Sequence, residues 1–126
     1  MNRIPSMTAA TRKAVFEHLL ELSARQSSWE PLEAAHVFGQ AWLRLHLLSH
    51  WRMLRLAVRQ GDGKEVAGQL FRLGLAPLGH ISGRLPLGNP GRSDVGAFQP
   101  MPVRPDLERL IAQARALAEK PATGAA

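Results

Sequence analysis

Histidine residues at helical spacing are the feature of this sequence with the clearest chemical potential. His46 and His50 are four residues apart, and a Glu-x-x-His motif is followed by Gln at a further step of four. Side chains at these spacings share one face of an α-helix. His-x-x-x-His chelates zinc, copper or nickel, and Glu-x-x-His occurs in di-iron helical bundles. The predicted ligands of a divalent transition-metal ion are Glu33, His36, Gln40, His46 and His50.

A site shared by these residues requires two helices. On one unbroken helix, His36 and His50 would be separated by about 21 Å along the axis, whereas donors lie about 2 Å from a metal ion. No Pro or Gly interrupts residues 40–59, so one helix from Pro31 to Arg59 is the alternative. We predict a turn between Leu43 and Ser49, because short helices bury more apolar surface in a chain of this length. The turn places Gln40 opposite His50 and brings the His36 and His50 nitrogens within about 10 Å.

The turn defines roles for the remaining candidate ligands. It does not exclude an interpretation in which these residues bind no ion. His46 would lie at the turn as a third donor, and Glu33 would be a ligand or orient His36 by accepting its second ring proton. Alternatively, the polar row forms a structural hydrogen-bond network. A di-iron bundle needs a second Glu-x-x-His motif, which is missing. His18 and His80 are expected to be isolated.

Catalysis has little support in the composition. The chain contains no Cys or Tyr, and no Ser, His and Asp constellation is recognisable. A reaction would have to use Glu33 or a His as general base, or water activated by a bound metal. The sequence therefore favours a binding protein over an enzyme.

Helices are the elements predicted to position these side chains. Leu and Ala, both good helix formers, account for much of the hydrophobic fraction of 45%. Apolar periodicity together with Ser, Asp and Pro start signals predicts helices at about 11–25, 31 to beyond 40, 63–76 and 105–119. We expect an all-α fold, a small bundle of antiparallel helical hairpins with a Gly/Pro-rich loop and a C-terminal helix.

Residues 79–104 are rich in Gly and Pro and are predicted to form an ordered loop. Around it we expect a flexible N-terminus at 1–10, a single helical domain at 11–119 and a disordered tail at 120–126. Within the loop, Asn89 follows Gly88 at the place where a P-loop has Lys. A tight turn held by Asn89 is therefore predicted instead of a phosphate site.

A weak internal repeat offers a second functional interpretation. It is defined by the shift that aligns Arg25–Ser28 with Arg59–Asp62. This shift equals the period of tetratricopeptide-like helix pairs, although only two copies exist and the Trp, Tyr and Pro signature is missing. The alternative function is a protein-interaction module in which the polar row is structural.

Charge and hydropathy limit the partners. The net charge of +6 comes mainly from Arg. Arg52, Arg55 and Arg59 share one helix face, but aromatic platforms and a recognition-helix pattern are lacking, so nucleic-acid binding is expected to be weak and salt-sensitive. No segment has the length of a membrane span or a secretory signal, which predicts a cytoplasmic protein. A protein partner or a homodimer stays open.

Several motifs in order carry a resemblance to a known family. They are Leu32–Gln40, His46 and His50 before Met53-Leu54, Glu65–Gln69 with Arg72, Pro86–Asn89 and Pro100–Pro102. Together they resemble an uncharacterised family of small bacterial proteins classed as a domain of unknown function, over about Phe16 to Leu110. The family motifs read Leu-Glu-Arg-Ala-His and Gly-Asn-Thr-Gly, so Ala34 and Pro90 depart from them. The candidate ligands are retained, and the leading hypothesis is a metal- or small-ligand-binding accessory protein.

Overall fold

The computed structural model describes residues 7–120 and contains five helices in this range. These are α1 Ala9–Gln26, α2 Trp29–Gly39, α3 Leu43–Gln60, α4 Gly63–Ser82 and α5 Pro105–Glu119. No strand occurs among the described residues, which confirms the predicted all-α bundle. None of the described helices is both long and apolar enough to cross a membrane. The expected N-terminal and C-terminal flexible segments fall mostly on residues outside the described range.

Local signals explain the helix ends. The Thr8 side chain accepts a hydrogen bond from the Thr11 amide, so α1 begins at Ala9, slightly before its predicted start. The Asp62 carboxylate accepts from the Glu65 amide at 3.1 Å and starts α4 where predicted. Helix α4 then continues to Ser82, beyond the predicted end at about Ala76 and through an internal proline. Burial of Gly79 against the following loop stabilises this last part of the helix.

The second and third helices are separate, but the predicted position of the turn is wrong. The chain turns at residues 40–42 instead of between Leu43 and Ser49. A Cβ at Gly39 would lie 2.9 Å from Leu45 Cβ and 3.0 Å from Phe16 Cε2, so the glycine permits three helices to approach closely at the end of α2. As a result, His46 lies in the first turn of α3 and not in the connection.

Helix α2 occupies the centre of the bundle. It packs against α1, α3 and α5, while α4 packs mainly against α3. The apolar core comes mostly from α1, α2 and α5, with Met53 and Leu56 contributed by α3. Helices α4 and α5 therefore lie at opposite edges of the fold.

The helix positions extend the internal repeat. The shift that carries Arg25 onto Arg59 also carries both ends of α1 onto the ends of α3, and the start of α2 onto the start of α4. The left-handed residues that end α1 and α3, Ser27 and Gly61, follow the same period. The first hairpin is covered by α5, whereas no helix of the described chain covers α4 on the side away from α3.

Candidate metal centre

Three buried histidines from two helices converge in the interior. His36 comes from α2, and His46 and His50 come from α3. The Nε2 atom of His50 lies 3.1 Å from Nε2 of His36 and 3.2 Å from Nε2 of His46. One nitrogen from each ring can be chosen so that all three atoms lie within 4.8 Å of one another. The separation of His36 and His50 is thus far shorter than the limit expected from a helical hairpin, about 10 Å.

Backbone and side-chain acceptors determine the tautomers of His36 and His50. His36 Nδ1 lies 2.8 Å from the carbonyl oxygen of Asn89, which can only accept, so Nδ1 donates and Nε2 keeps its lone pair. His50 Nδ1 donates to Oε1 of Gln69 at 2.7 Å and likewise keeps its lone pair on Nε2. Both lone pairs point into the space between the two rings.

The orientation of Gln69 is itself fixed. Its amide nitrogen donates to Glu65 Oε2 at 2.8 Å and to the Gly91 carbonyl at 2.9 Å. Because both partners are acceptors, the amide oxygen must face His50. Helix α4 therefore contributes two buried residues to the centre that sequence reasoning missed.

His80 is a further missed residue, and its expected isolation is wrong. Its Nε2 atom lies 3.1 Å from Nδ1 of His46. In the tautomer in which His46 donates from Nδ1 to His80, the Nε2 lone pair of His46 joins those of His36 and His50. Residues 46 and 80 lie on different helices of one hairpin, and no local sequence signal links them.

Burial keeps the three rings neutral. It lowers the pKa of His36 well below the ordinary value, and the neighbouring His50 and His46 lower it further. Burial, His50 and His80 together lower the pKa of His46 to about 3. Burial is also the main cause that lowers the pKa of His50 to about 4, against the opposing hydrogen bond with Gln69. Neutral imidazole is the form that binds metal ions.

Glu33 does not join the histidine group. Its Oε1 lies 3.2 Å from Nη1 of Arg92, and its Oε2 lies 2.7 Å from Nη1 of Arg104. Burial raises the pKa of Glu33 in spite of both guanidinium groups. Gln40 is buried at the end of α2, and its Oε1 has no hydrogen-bond partner among the described residues. Their roles as ligands stay predictions.

Arg92 connects the loop to two helices. Its Nε donates to Glu65 Oε1 at 2.7 Å, and its guanidinium lies 3.7 Å from the ring centroid of Trp29. Burial by itself would raise the pKa of Glu65, but hydrogen bonds from Arg92, Gln69 and the Ser93 amide lower it overall. The two buried carboxylates of Glu33 and Glu65 are thus both paired with arginine side chains.

The Gly/Pro-rich loop is organised by Asn89, as predicted. The Asn89 amide donates to the carbonyls of Gly96 and Gln99 at 2.8 and 2.9 Å, and its Oδ1 accepts from the Gly91 amide at 2.9 Å. Gly91 has φ +90°, and a Cβ there would lie 2.8 Å from Cδ2 of His36. The loop therefore packs its backbone directly against the ring of His36.

A small, partly open cleft with room for about one water molecule reaches the centre from one side. His46 and His50 line its inner end, and Arg72, Ala76 and Phe98 lie along its walls. The Arg72 guanidinium donates to backbone carbonyls of α4 and the loop, which holds it in place. Water or a small ion can thus approach two of the three histidines.

The predicted arginine face lies elsewhere. Arg52, Arg55 and Arg59 line a separate cleft beside α1, which is also partly open. No ion pair involves these three side chains among the described residues. They take no part in the histidine centre.

Comparisons with known proteins identify a family without an assigned activity. The family model described as protein of unknown function (DUF3703) matches residues 6–111. The match confirms the resemblance to an uncharacterised family. No curated protein and no solved structure gives a significant match to the chain.

Proposed function

We propose that this chain, which belongs to the DUF3703 family of proteins of unknown function, binds a divalent transition-metal ion through His36, His46 and His50. One observation carries the proposal: Nε2 of His36 and Nε2 of His50 are 3.1 Å apart, and both hold lone pairs because both Nδ1 atoms donate elsewhere. Two lone pairs at this distance in a buried site repel each other unless a cation lies between them.

The two donor distances from His50 suit a tetrahedral ion. Zinc binds imidazole nitrogen at about 2.0–2.1 Å, which places two donors of a tetrahedral site about 3.3 Å apart. The two Nε2 separations from His50 are 3.1 and 3.2 Å. The full set of three nitrogens spans up to 4.8 Å, more than the roughly 4.2 Å that two donors of one zinc ion can span. Two donor pairs are therefore nearly in position before an ion binds, and binding requires one ring to move inward.

The partners of the second ring nitrogens are those expected around metal-bound histidine. Such imidazoles usually donate their other N–H to a carbonyl, carboxylate or comparable acceptor, which fixes the ring and raises its basicity. His36 donates to the Asn89 carbonyl, His50 to the Gln69 amide oxygen, and His46 contacts His80. All three candidate ligands thus have an orienting partner.

The donor set selects the class of ion. Three neutral imidazoles suit zinc, copper, nickel and iron, whereas Mg²⁺ and Ca²⁺ prefer oxygen ligands. The two nearest buried carboxylates are paired with arginines, and the sequence has no Cys. Zinc is the first ion to test, with copper, nickel and iron as competitors.

Three protein ligands leave one position of a tetrahedral ion free. The cleft at His46 and His50 gives water or another small donor a route to that position. This favours an accessory protein that holds an exchangeable ion over a closed structural site.

The test is a titration of protein purified without a histidine tag. Metal content is measured first, and zinc, copper, nickel and iron are then titrated against a competing chelator. His36→Ala, His46→Ala and His50→Ala should each reduce affinity by more than about 100-fold, since each removes a ligand. His80→Ala should reduce it by about 10- to 100-fold, as loss of an orienting partner does. His18→Ala, on α1 and outside the cluster, is the matched control.

Binding should also appear as ligand-dependent stability. An ion that binds only the folded state raises the free energy of unfolding by about 2.7 kcal/mol at 100 times its dissociation constant. The wild type and His18→Ala should show this increase, and the three ligand variants should not. Absence of stoichiometric binding in the wild type, or equal affinities in all variants, would contradict the proposal.

The second candidate is a protein-interaction module in which the histidines form a structural network. The observation that favours it is the internal repeat of the helix positions. In that case neither the wild type nor the alanine variants bind an ion, and the variants only lose stability.

A further inference from the structure

Helix α4 is inverted relative to an ordinary amphipathic helix. Its buried face is largely polar and includes Glu65, Gln69 and Arg72. Its solvent side carries large apolar side chains, with Leu70 exposed by 55%, Phe71 by 61%, Leu78 by 58% and Ile81 by 84%. A helix at the surface of a monomeric protein normally has the opposite arrangement.

The exposed apolar residues form one continuous stripe. At about 3.6 residues per turn, they fall within an arc of about 100° and extend over about 21 Å of the helix. We call this stripe the outer face of α4; it consists of Ala67, Leu70, Phe71, Gly74, Leu78 and Ile81. Contiguous apolar patches of this kind mark interaction sites.

The internal repeat explains why the outer face has no cover within the described chain. The repeat shift places Leu70 on His36 and Phe71 on Val37 of α2. Helix α2 is enclosed by α1, α3 and α5, whereas no described helix packs on the equivalent side of α4. Repeat folds need a polar cap at each open end, and here one end presents an apolar surface instead.

Gly74 indicates that another helix covers this surface. It lies within α4, where glycine costs about 1 kcal/mol relative to alanine. A Cβ at Gly74 would meet no atom of residues 7–120 within 4 Å, so packing within this part of the chain does not require glycine. Close approach of another helix does require a small residue at this position.

We propose that two copies of this chain pair through the outer faces of α4, around a two-fold axis that passes Gly74. The stripe is self-complementary about this residue. An antiparallel pairing centred on Gly74 places Leu70 opposite Leu78 of the second copy, and the small Ala67 opposite the large Ile81. A surface that is complementary to itself is what a two-fold interface requires.

The available area supports a second copy as the occupant. At their exposed fractions, the four large side chains provide roughly 500 Å² per copy and about 1,000 Å² for a pair, which is where specific interfaces begin. This pairing predicts a moderate, concentration-dependent dimer. It uses the side of α4 opposite to Gln69 and does not depend on metal binding.

Sedimentation equilibrium on the full chain over a range of concentrations tests the pairing. The wild type should be a dimer at about 100 µM, and Leu78→Glu should weaken association by at least about 30-fold, because it buries a charge at the interface centre. Leu117→Glu is the matched control, since Leu117 is exposed by 58% like Leu78 but lies on α5. It should leave the dimer intact.

Gly74→Leu separates specific pairing from general stickiness. It adds apolar surface and would strengthen non-specific association, but it blocks helix approach at the axis and should weaken the dimer. A monomeric wild type, or equal effects of Leu78→Glu and Leu117→Glu, would overturn the proposal. The proposal would also be overturned if the wild type, but not Leu78→Glu, bound phosphatidylglycerol vesicles and did not dimerise. That result would show that the outer face of α4 binds a membrane surface.

Discussion

Replacement of Gly91 by alanine should displace His36 and weaken metal binding. The added Cβ would lie 2.8 Å from Cδ2 and 2.9 Å from Nε2 of the His36 ring. Non-bonded carbon atoms pack at about 3.5–4.0 Å, so the ring or the loop must move by about 0.7 Å. Metal–ligand distances tolerate shifts of only about 0.2 Å. We therefore expect the zinc affinity of Gly91→Ala to fall by at least about 10-fold, the effect of disturbing an orienting partner.

The stability cost of this change has two parts. The positive φ of +90° at Gly91 strains any residue with a side chain, at about 1–3 kcal/mol. Overpacking against the buried ring adds about 1–3 kcal/mol. Gly61 isolates the first part, because it has φ +67° but an added Cβ would have no atom of the described residues within 4 Å. Gly61→Ala should thus lose stability through strain alone and keep its metal affinity.

Both variants are compared by urea unfolding in the presence of a chelator and by zinc titration. Gly91→Ala should be less stable than Gly61→Ala by about 1–3 kcal/mol and should bind zinc more weakly. If the two variants bind zinc equally well, the loop does not position His36, and the reasoning about contact between the loop and the ring is wrong.

Two further predictions concern pH and the buried ion pairs. Burial lowers the pKa of His46 to about 3 and that of His50 to about 4, whereas both are expected to be about 6.5 in the unfolded chain. As the pH falls, the unfolded chain therefore takes up protons before the folded protein does. The contribution of these histidines to the unfolding free energy of the metal-free protein should therefore be complete above about pH 6.5. Between about pH 6.5 and 5 the unfolding free energy should fall by about 1.4 kcal/mol per pH unit for each such histidine. Equal values at pH 7 and pH 5 would contradict this prediction. Arg92→Met should cost about 3–5 kcal/mol in urea unfolding at pH 7, because it leaves the buried carboxylates of Glu33 and Glu65 without this partner. Arg25→Met, which breaks an exposed pair with Glu21, should cost less than about 1 kcal/mol, and equal losses would rule out the role of Arg92.

The helices could be predicted because their determinants are local. Capping side chains such as Asp62, apolar spacing and Pro at the first turn act within a few residues, and α4 and α5 begin where these signals lie. The turn after α2 was predicted too late along the chain. Its determinant is Gly39, whose role depends on contacts with Leu45 and Phe16 from other helices.

The candidate site was likewise predictable only where its determinants are local in sequence. The spacing of Glu33 with His36 and of His46 with His50 was enough to propose a metal site, because a helix projects residues three or four positions apart from one face. The hypothesis also required a turn between the two helices. The role of Glu33 was not evident, since the arginines that pair with it come from residues 92 and 104 of a loop far along the chain. His80 follows a run of apolar and small residues in α4, so its contact with His46 had no local signal.

The sequence by itself determined the helical class, the starts of α4 and α5 and the histidine pattern, because these follow from propensity, capping and periodicity over one or two turns. The tertiary structure alone decided which ring nitrogens carry protons, which carboxylates are neutralised and which face of α4 is left uncovered. These properties depend on acceptors and packing partners distant in sequence, such as the Asn89 carbonyl at 2.8 Å from His36. Only the folded chain brings such groups within hydrogen-bond distance.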